Sequence, residues 1–354
     1  MTHEQDTAPA VRRRVLISAN NVIDLVEEPR PVLAPDEALV SLEVTGVCGS
    51  DMHGLHGSHP TMKPPYYPGH EVVGIVREIG ADVTGIDVGQ RVTPEPPLPC
   101  GACKMCRTDR SNICEKLEFF GCGFREGGMA DVFSVRASRL HRVPSEFSLK
   151  QAALIEPLST PVHAVRLAGD LTDKAIVIIG CGTIGLLVLA AARAHGARTI
   201  VMTDVLESKR EGAKRRGADA VVDAADPELA SAVRRQLGES ADVVFDCVSI
   251  QPTVTAAIDM VQRGGTVVIV GVPSGPVEVP AFILQDRQIR LQGAATYLSE
   301  DYLESTRIIA SGGVDAETMI TASFPLERVT DAFKAAASGE HIKVLITGKD
   351  VVLA

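Results

Sequence analysis

The chain has 354 residues, 45% of them apolar, enough for two ordinary domains with their own cores and too apolar for a disordered polymer. Its 45 acidic and 35 basic side chains leave a formal charge of −10, which argues against any general attraction to nucleic acid or to anionic membranes. Arg12, Arg13 and Arg14 precede only three apolar residues, too few for a secretory signal, so a reducing cytoplasm with all eight cysteines as thiols is expected.

In the first third, Ala38, Val40, Leu42 and Val44 share one face at a period of two, and Val72 to Ile79 and Asp131 to Val135 read the same way. Turn-rich spacers such as Pro94 to Pro99 separate these runs, predicting an irregular β-rich, barrel-like domain. From about Leu158 the texture changes. Strand candidates begin near Ile176, Thr199, Ala220, Val243, Thr266 and Ile289, alternating with helical patterns at Ile184 to Ala194, Glu207 to Arg215, Pro227 to Leu237 and Thr253 to Val261. Strand-helix alternation of this kind predicts a doubly wound α/β fold with a parallel sheet. The uncharged run Ala175 to Ala192 has the length of a membrane span, but Gly180, Gly182 and Gly185 divide it, so it reads as strand, turn and helix. Beyond Tyr297 come a helix-like stretch, a second helix at Leu326 to Ala336 and a strand at Lys343 to Thr347, which return to complete the first domain.

Val177-Ile178-Ile179 runs into Gly180-Cys181-Gly182-Thr183-Ile184-Gly185, and an apolar helix follows at once, the context a dinucleotide fingerprint requires. Gly180 permits the tight turn, Gly182 admits a pyrophosphate close to the backbone, and Gly185 lets helix and strand pack. Asp204 ends the next strand 19 residues after Gly185, where a carboxylate accepts the adenosine ribose hydroxyls and repels a 2′-phosphate. NAD is therefore expected rather than NADP, with Lys209 and Arg210 as the cations that argue the other way.

Cys100, Cys103, Cys106 and Cys114 follow C-x2-C-x2-C-x7-C, four thiolates able to wrap one tetrahedral ion in a closed, structural zinc site. Nearby Lys104, Arg107, Arg110 and Lys116 are balanced by Asp109, Glu115 and Glu118, and no recognition helix follows in zinc-finger spacing, which argues against a nucleic-acid role for this lobe. Cys122, Cys181 and Cys247 fit neither metal site and read as buried small residues. A second constellation is dispersed over Gly46-Val47-Cys48-Gly49-Ser50-Asp51-Met52-His53, Gly69-His70-Glu71 and Glu156-Pro157-Leu158, and spacing alone does not join its parts.

Taken in order, these segments, the four-cysteine lobe and the glycine fingerprint resemble the zinc-dependent medium-chain alcohol dehydrogenases over nearly the whole chain. The resemblance implies a GroES-like catalytic domain at 1–157, completed by 297–354, around a Rossmann domain at 158–296. It implies two zinc ions per chain, one structural and one catalytic, the latter held by Cys48 and His70. Glu71 and Glu156 match positions that, in the polyol and threonine dehydrogenase branch, supply either a direct ligand or a hydrogen bond to zinc-bound water. Ser50 and His53 match the proton-relay positions, and Asp51 is placed to buttress the site. The ion would act as a Lewis acid, with hydride passing between the substrate carbon and the nicotinamide.

Ala153 to Leu158 is similar to the sorbitol and butanediol branch, implying a secondary alcohol with a neighbouring hydroxyl, such as a polyol, cyclitol, sugar-type compound or vicinal diol. The sorbitol type has a tyrosine where this chain has Gly54, and an Arg-Tyr pair where it has Thr296-Tyr297. Rival readings are an L-threonine-type 3-dehydrogenase and a zinc-stabilised NAD-binding protein without turnover. Partners are a small-molecule alcohol or ketone and, by resemblance, further copies of the chain as a homodimer or homotetramer. By the same analogy an apolar segment near Thr266 to Pro280 forms a sheet-edge contact.

Overall fold

The run that begins at Ala38 becomes the strand Glu37–Gly46, at the centre of a seven-stranded sheet. It pairs antiparallel with Glu71–Ile79, with Val132–Arg136 and with the C-terminal strand Lys343–Thr347. The computed structural model describes residues 10–59, 62–273 and 275–353, and it divides into two units, Met1–Glu156 with Ala316–Ala354, and Pro157–Asp315.

In the first unit Ala38, Val40 and Leu42 face one apolar cluster with Val72, Val76, Val92, Phe120 and Phe133, as their alternation predicts. A second cluster joins Val15, Ile17, Val47, Leu55, Met62 and Tyr66 to Val329, Phe333, Val344 and Ile346, so the returning C-terminal segment contributes core to this unit. Each such side chain, fully buried, stabilises by roughly 1.5–3 kcal/mol.

Two of the three consecutive arginines, Arg12 and Arg14, are buried. In the strand Val11–Ala19, Arg12 is only 2% exposed and grips Glu126 with two hydrogen bonds of 2.6 and 2.7 Å, while its Nη2 donates to Glu28 at 2.7 Å. Arg14 pairs with Glu28 at 2.8 Å and lies over the ring of Tyr67, 3.2 Å from its centroid. Two buried guanidinium groups are thus neutralised by the buried Glu126 and the partly exposed Glu28, the condition under which buried charges are tolerated. The network fastens the loop around Glu126 to the N-terminal strand.

In the second unit the sheet runs, along its width, Ala220–Asp223, Thr199–Asp204, Ala175–Ile179, Ala241–Asp246, Val261–Ile269 and Arg290–Gly293, with every pairing parallel. In chain order that is third, second, first, fourth, fifth, sixth, the doubly wound dinucleotide-binding arrangement. Ala175–Ile179 is buried throughout, as a strand covered on both faces must be. Among the described residues no helix is long and apolar enough to cross a membrane, and the run Ala175 to Ala192 is a strand, a turn and the helix Thr183–Ala194.

Two expectations are corrected here. The edges of this sheet are Ala220–Asp223 and Arg290–Gly293, whereas Thr266 lies in an inner strand and Val277 and Val279 pack on the core, so the segment near Thr266 to Pro280 is not an edge. The helix Ser299–Ala310, read as the start of the return to the first domain, groups with the second unit. Its Asp301, fully buried, accepts from His163 Nδ1 at 2.8 Å on the helix Ile155–Ala168, and Ser305 meets Ser159 at 3.2 Å. Helical periodicity announces such a helix but not its partner.

Candidate metal centre and cofactor site

Two of the three dispersed segments come together at one place. Cys48 precedes the helix Gly49–Leu55, and His70 and Glu71 stand at the start of the strand Glu71–Ile79. One donor atom from each of Cys48, His70 and Glu71 lies within 4.8 Å of the others. A thiol, an imidazole and a carboxylate are the donor types that suit a zinc ion with one position left open. Glu156, in the first turn of the helix Ile155–Ala168, is not part of this three-residue group.

The two nitrogens of His70 have different surroundings. Nε2 lies 3.4 Å from Ser50 Oγ. Nδ1 lies 3.3 Å from the sulfur of Cys122 and 3.8 Å from Asp51 Oδ1. Asp51 is fully buried, and its other oxygen accepts from the backbone amide of Cys48 at 2.9 Å. Burial pushes the Asp51 carboxyl up from its usual range, against the pull of His70 beside it. For His70 burial works in the opposite direction, but Cys122, Asp51 and Cys48 together hold its proton affinity well above the ordinary value. Ser50 therefore sits against the His70 ring, whereas His53 meets Ser58 at 3.4 Å on the exposed side.

Glu71 has a counter-ion that sequence reasoning missed. Lys343 opens the buried C-terminal strand, and its Nζ pairs with both carboxylate oxygens of Glu71 and donates to the Val47 carbonyl at 3.2 Å. The two side chains are 3% and 1% exposed. Burial alone would lower the Lys343 pKa, yet Glu71, Cys48 and Glu156 raise it above its usual value, so the ammonium stays charged. A lysine leading an otherwise apolar run, Lys343-Val344-Leu345-Ile346, was the available signal. Cys122 was missed as well: it is not a mere packing residue but a direct neighbour of His70.

Gly54 is dictated by its surroundings. A Cβ there would fall 2.3 Å from the hydroxyl of Tyr66 and 2.9 Å from the end of Met62, both buried. The tyrosine of the sorbitol type has no room at this position. Tyr297 is buried and packs against Tyr302 at 5.9 Å between centroids.

The four-cysteine lobe is two single turns of 3-10 helix, Cys106–Thr108 and Ser111–Ile113, with little apolar core of its own. Cys103 Sγ is 3.5 Å from that of Cys106 and 3.8 Å from that of Cys114. A tetrahedron with zinc–sulfur bonds of about 2.3 Å has edges of roughly 3.8 Å, so the spacing fits one ion. Backbone amides are already aimed at the sulfurs, Cys100 N and Lys116 N to Cys114 at 3.3 Å each. Amides of Cys106 and Glu115 pull the Cys103 thiol down to about 6.

The fingerprint closes the strand Ala175–Ile179. A Cβ at Gly185 would lie 1.8 Å from the Gly180 carbonyl oxygen, so helix and turn touch there, whereas Gly182 faces open space. The N-cap of the helix Thr183–Ala194 is Gly182, which has no side chain of its own, and the first amides of such a helix are the groups an anionic pyrophosphate would use. Thr183 and Ile184 form its first turn. Asp204 accepts from Cys181 N and Leu206 N at 2.9 Å each, which fixes the carboxylate beside the turn. Arg210 is committed elsewhere, to the Asp204 carbonyl at 2.9 Å and to Asp223 at 3.3 Å. Burial and the charge of Asp204 raise the Cys181 thiol to about 12, against the opposing charges of Lys209 and Arg210.

Residues 183–311 match the zinc-binding dehydrogenase family, and residues 34–145 match the alcohol dehydrogenase GroES-like domain. D-xylulose reductase A of Aspergillus oryzae is 32% identical over 338 residues, 92% of this chain and 94% of that protein. A zinc-binding dehydrogenase of Sinorhizobium meliloti 1021, solved bound to NADP, superposes with a TM-score of 0.90 at 31% identity, covering 96% of this chain and 100% of that one. L-idonate 5-dehydrogenase of Escherichia coli K-12 superposes with a TM-score of 0.88 at 26% identity, covering 95% and 98%. The chain thus belongs to the zinc-dependent medium-chain polyol dehydrogenase family and is an oxidoreductase of alcohols or polyols that uses a nicotinamide dinucleotide.

Proposed function

We propose that this enzyme interconverts a secondary alcohol bearing a neighbouring hydroxyl, such as a polyol, cyclitol, sugar-type compound or vicinal diol, and its ketone, with NAD as hydride carrier. The convergence of one donor atom each from Cys48, His70 and Glu71 carries this reading. Zinc held there would supply Lewis acidity toward the substrate oxygen, and the nicotinamide would carry the hydride. Cys48, His70 and Glu71 are the residues that would hold it, with Lys343 balancing the charge of Glu71 and Glu156 close enough to raise the Lys343 pKa. In this reading Ser50, 3.4 Å from His70 Nε2, would take a proton at its hydroxyl and the exposed His53 would pass it to water. Cys100, Cys103, Cys106 and Cys114 would hold the second, closed zinc. Sorbitol itself is disfavoured, because Tyr66 occupies the space of the tyrosine expected at position 54.

NADH formation over a panel of polyols, cyclitols, vicinal diols and L-threonine tests the substrate class. Turnover of threonine alone would replace this reading with the threonine-type one. Silence on every alcohol in a protein shown to hold two zinc ions would overturn the polyol assignment.

The preference for NAD rests on Asp204, whose charge opposes a 2′-phosphate, and on Arg210, already engaged by Asp204 and Asp223. Asp204→Ala combined with Val205→Arg should lower the ratio of kcat/KM with NAD to that with NADP by about 100-fold, the loss of charged hydrogen bonds of roughly 1.5–3 kcal/mol. An unchanged ratio would mean that Asp204 does not meet the ribose. A cytoplasmic location is consistent with thiolates that must stay reduced. Self-association is supported by the edge strand Arg290–Gly293, where Leu291 is exposed, and by the exposed Phe282 nearby in sequence.

A further inference from the structure

We propose that Cys122 is the positioning residue that holds His70 in place for the metal, its sulfur accepting the Nδ1–H of the imidazole. This assignment rests on the metal reading above. Metal-bound histidines almost always donate their second ring N–H to a carboxylate, a carbonyl or water, which fixes tautomer and ring orientation. Here the nearest carboxylate does not reach: Asp51 Oδ1 is 3.8 Å from Nδ1 and has no hydrogen-bond partner, while Asp51 Oδ2 is taken by the Cys48 amide. The sulfur of Cys122, at 3.3 Å, is within reach. Nε2 faces Ser50 and is left for the ion.

The backbone holds this sulfur firmly. Gly121 has φ +74°, and a Cβ on it would fall 2.2 Å from the Gly69 carbonyl oxygen, so its turn lies directly on the residue before His70. Cys122 N donates to Phe119 O at 3.0 Å, and the Phe119 ring meets His70 edge-on with centroids 5.9 Å apart. Gly121 N donates to Glu126 O at 3.0 Å, and Glu126 is the residue clamped by Arg12. A thiol is a weak acceptor, so it orients the ring while giving it less added basicity than a bonded carboxylate would. Held this way, the imidazole of His70 would donate less charge to a bound zinc than one paired with a carboxylate.

The test uses the full-length holoenzyme with Cys122→Ala and Cys122→Ser. Zinc transfer to a chromogenic chelator should show two kinetic classes in the wild type. Cys122→Ala should speed the faster class by about 10–100-fold and leave the four-cysteine zinc unchanged, and Cys122→Ser, which retains an acceptor, should restore most of the difference. Cobalt substituted at the open site should change its visible absorption in Cys122→Ala. Two zinc ions per chain with unaltered release and an unaltered cobalt spectrum would overturn the Cys122 assignment alone. A wild type that holds only the four-cysteine zinc would overturn the metal reading and this assignment with it.

Discussion

Cys48→Ala should yield a folded protein with one zinc per chain instead of two, and kcat/KM for alcohol oxidation should fall by at least about 10³-fold, as expected when Lewis-acid stabilisation worth several kcal/mol is withdrawn. Folding should survive because Cys48 is only half-buried, the change removes a single sulfur, and the lobe at Cys100, Cys103, Cys106 and Cys114 keeps its own donors. Cys48 is also one of the groups that raise the proton affinity of His70, together with Cys122 and Asp51 and against burial. Zinc must displace that proton, so a raised value means competition begins at higher pH than for a free imidazole. As the pH is lowered, zinc affinity of the wild-type open site should therefore fall by about tenfold per pH unit for each proton displaced, with the fall setting in while the pH is still above 6.5. Metal content by mass spectrometry, read beside the kinetics, checks both parts. A variant that keeps two zinc ions, or one that keeps full turnover with one, would remove Cys48 from the chemistry and favour a protein stabilised by zinc without a catalytic ion.

How much of this was legible in advance depended on how locally each feature is encoded. The fingerprint from Gly180 to Gly185 lies within one turn, Asp204 within the next strand, and the four cysteines within a single loop, so spacing alone carries their chemistry. The parallel sheet was likewise readable, because each strand and helix announces itself by its own period. The neighbours of the open site are another matter. Cys122 comes to His70 across 52 positions and Lys343 to Glu71 across 272, and no local pattern encodes contacts at such separations. Spacing was also silent between Glu71 and Glu156. The three-donor grouping now favours Glu71, which pairs directly with Lys343, whereas Glu156 acts on that ammonium only as the weakest of the charges that raise its pKa. Gly54 was visible only as a missing tyrosine, and its cause, the hydroxyl of Tyr66, required the fold.

Lys343→Met should produce the largest loss of stability, about 3–5 kcal/mol, because it strands the Glu71 carboxylate in the interior without its partner. Neither side chain has water to fall back on, with exposures of 3% and 1%. The double variant Lys343→Met with Glu71→Gln should recover much of the loss, since a neutral amide costs far less to bury than a lone charge. The pH dependence has a definite sign. The Lys343 pKa is raised above 10.5 in the folded protein, so its contribution is fully present below that value and is lost only as the pH rises through the higher folded value. At neutral pH the pair is intact. Zinc should also rescue the single variant selectively, because an ion held by Cys48, His70 and Glu71 would supply the positive charge that Lys343 no longer provides. Urea unfolding midpoints, measured with zinc and with a chelator, should therefore separate far more for Lys343→Met than for the wild type. A loss below about 1 kcal/mol in the chelated variant would show that Glu71 has another counter-charge, and equal zinc responses would show that Glu71 does not face the ion.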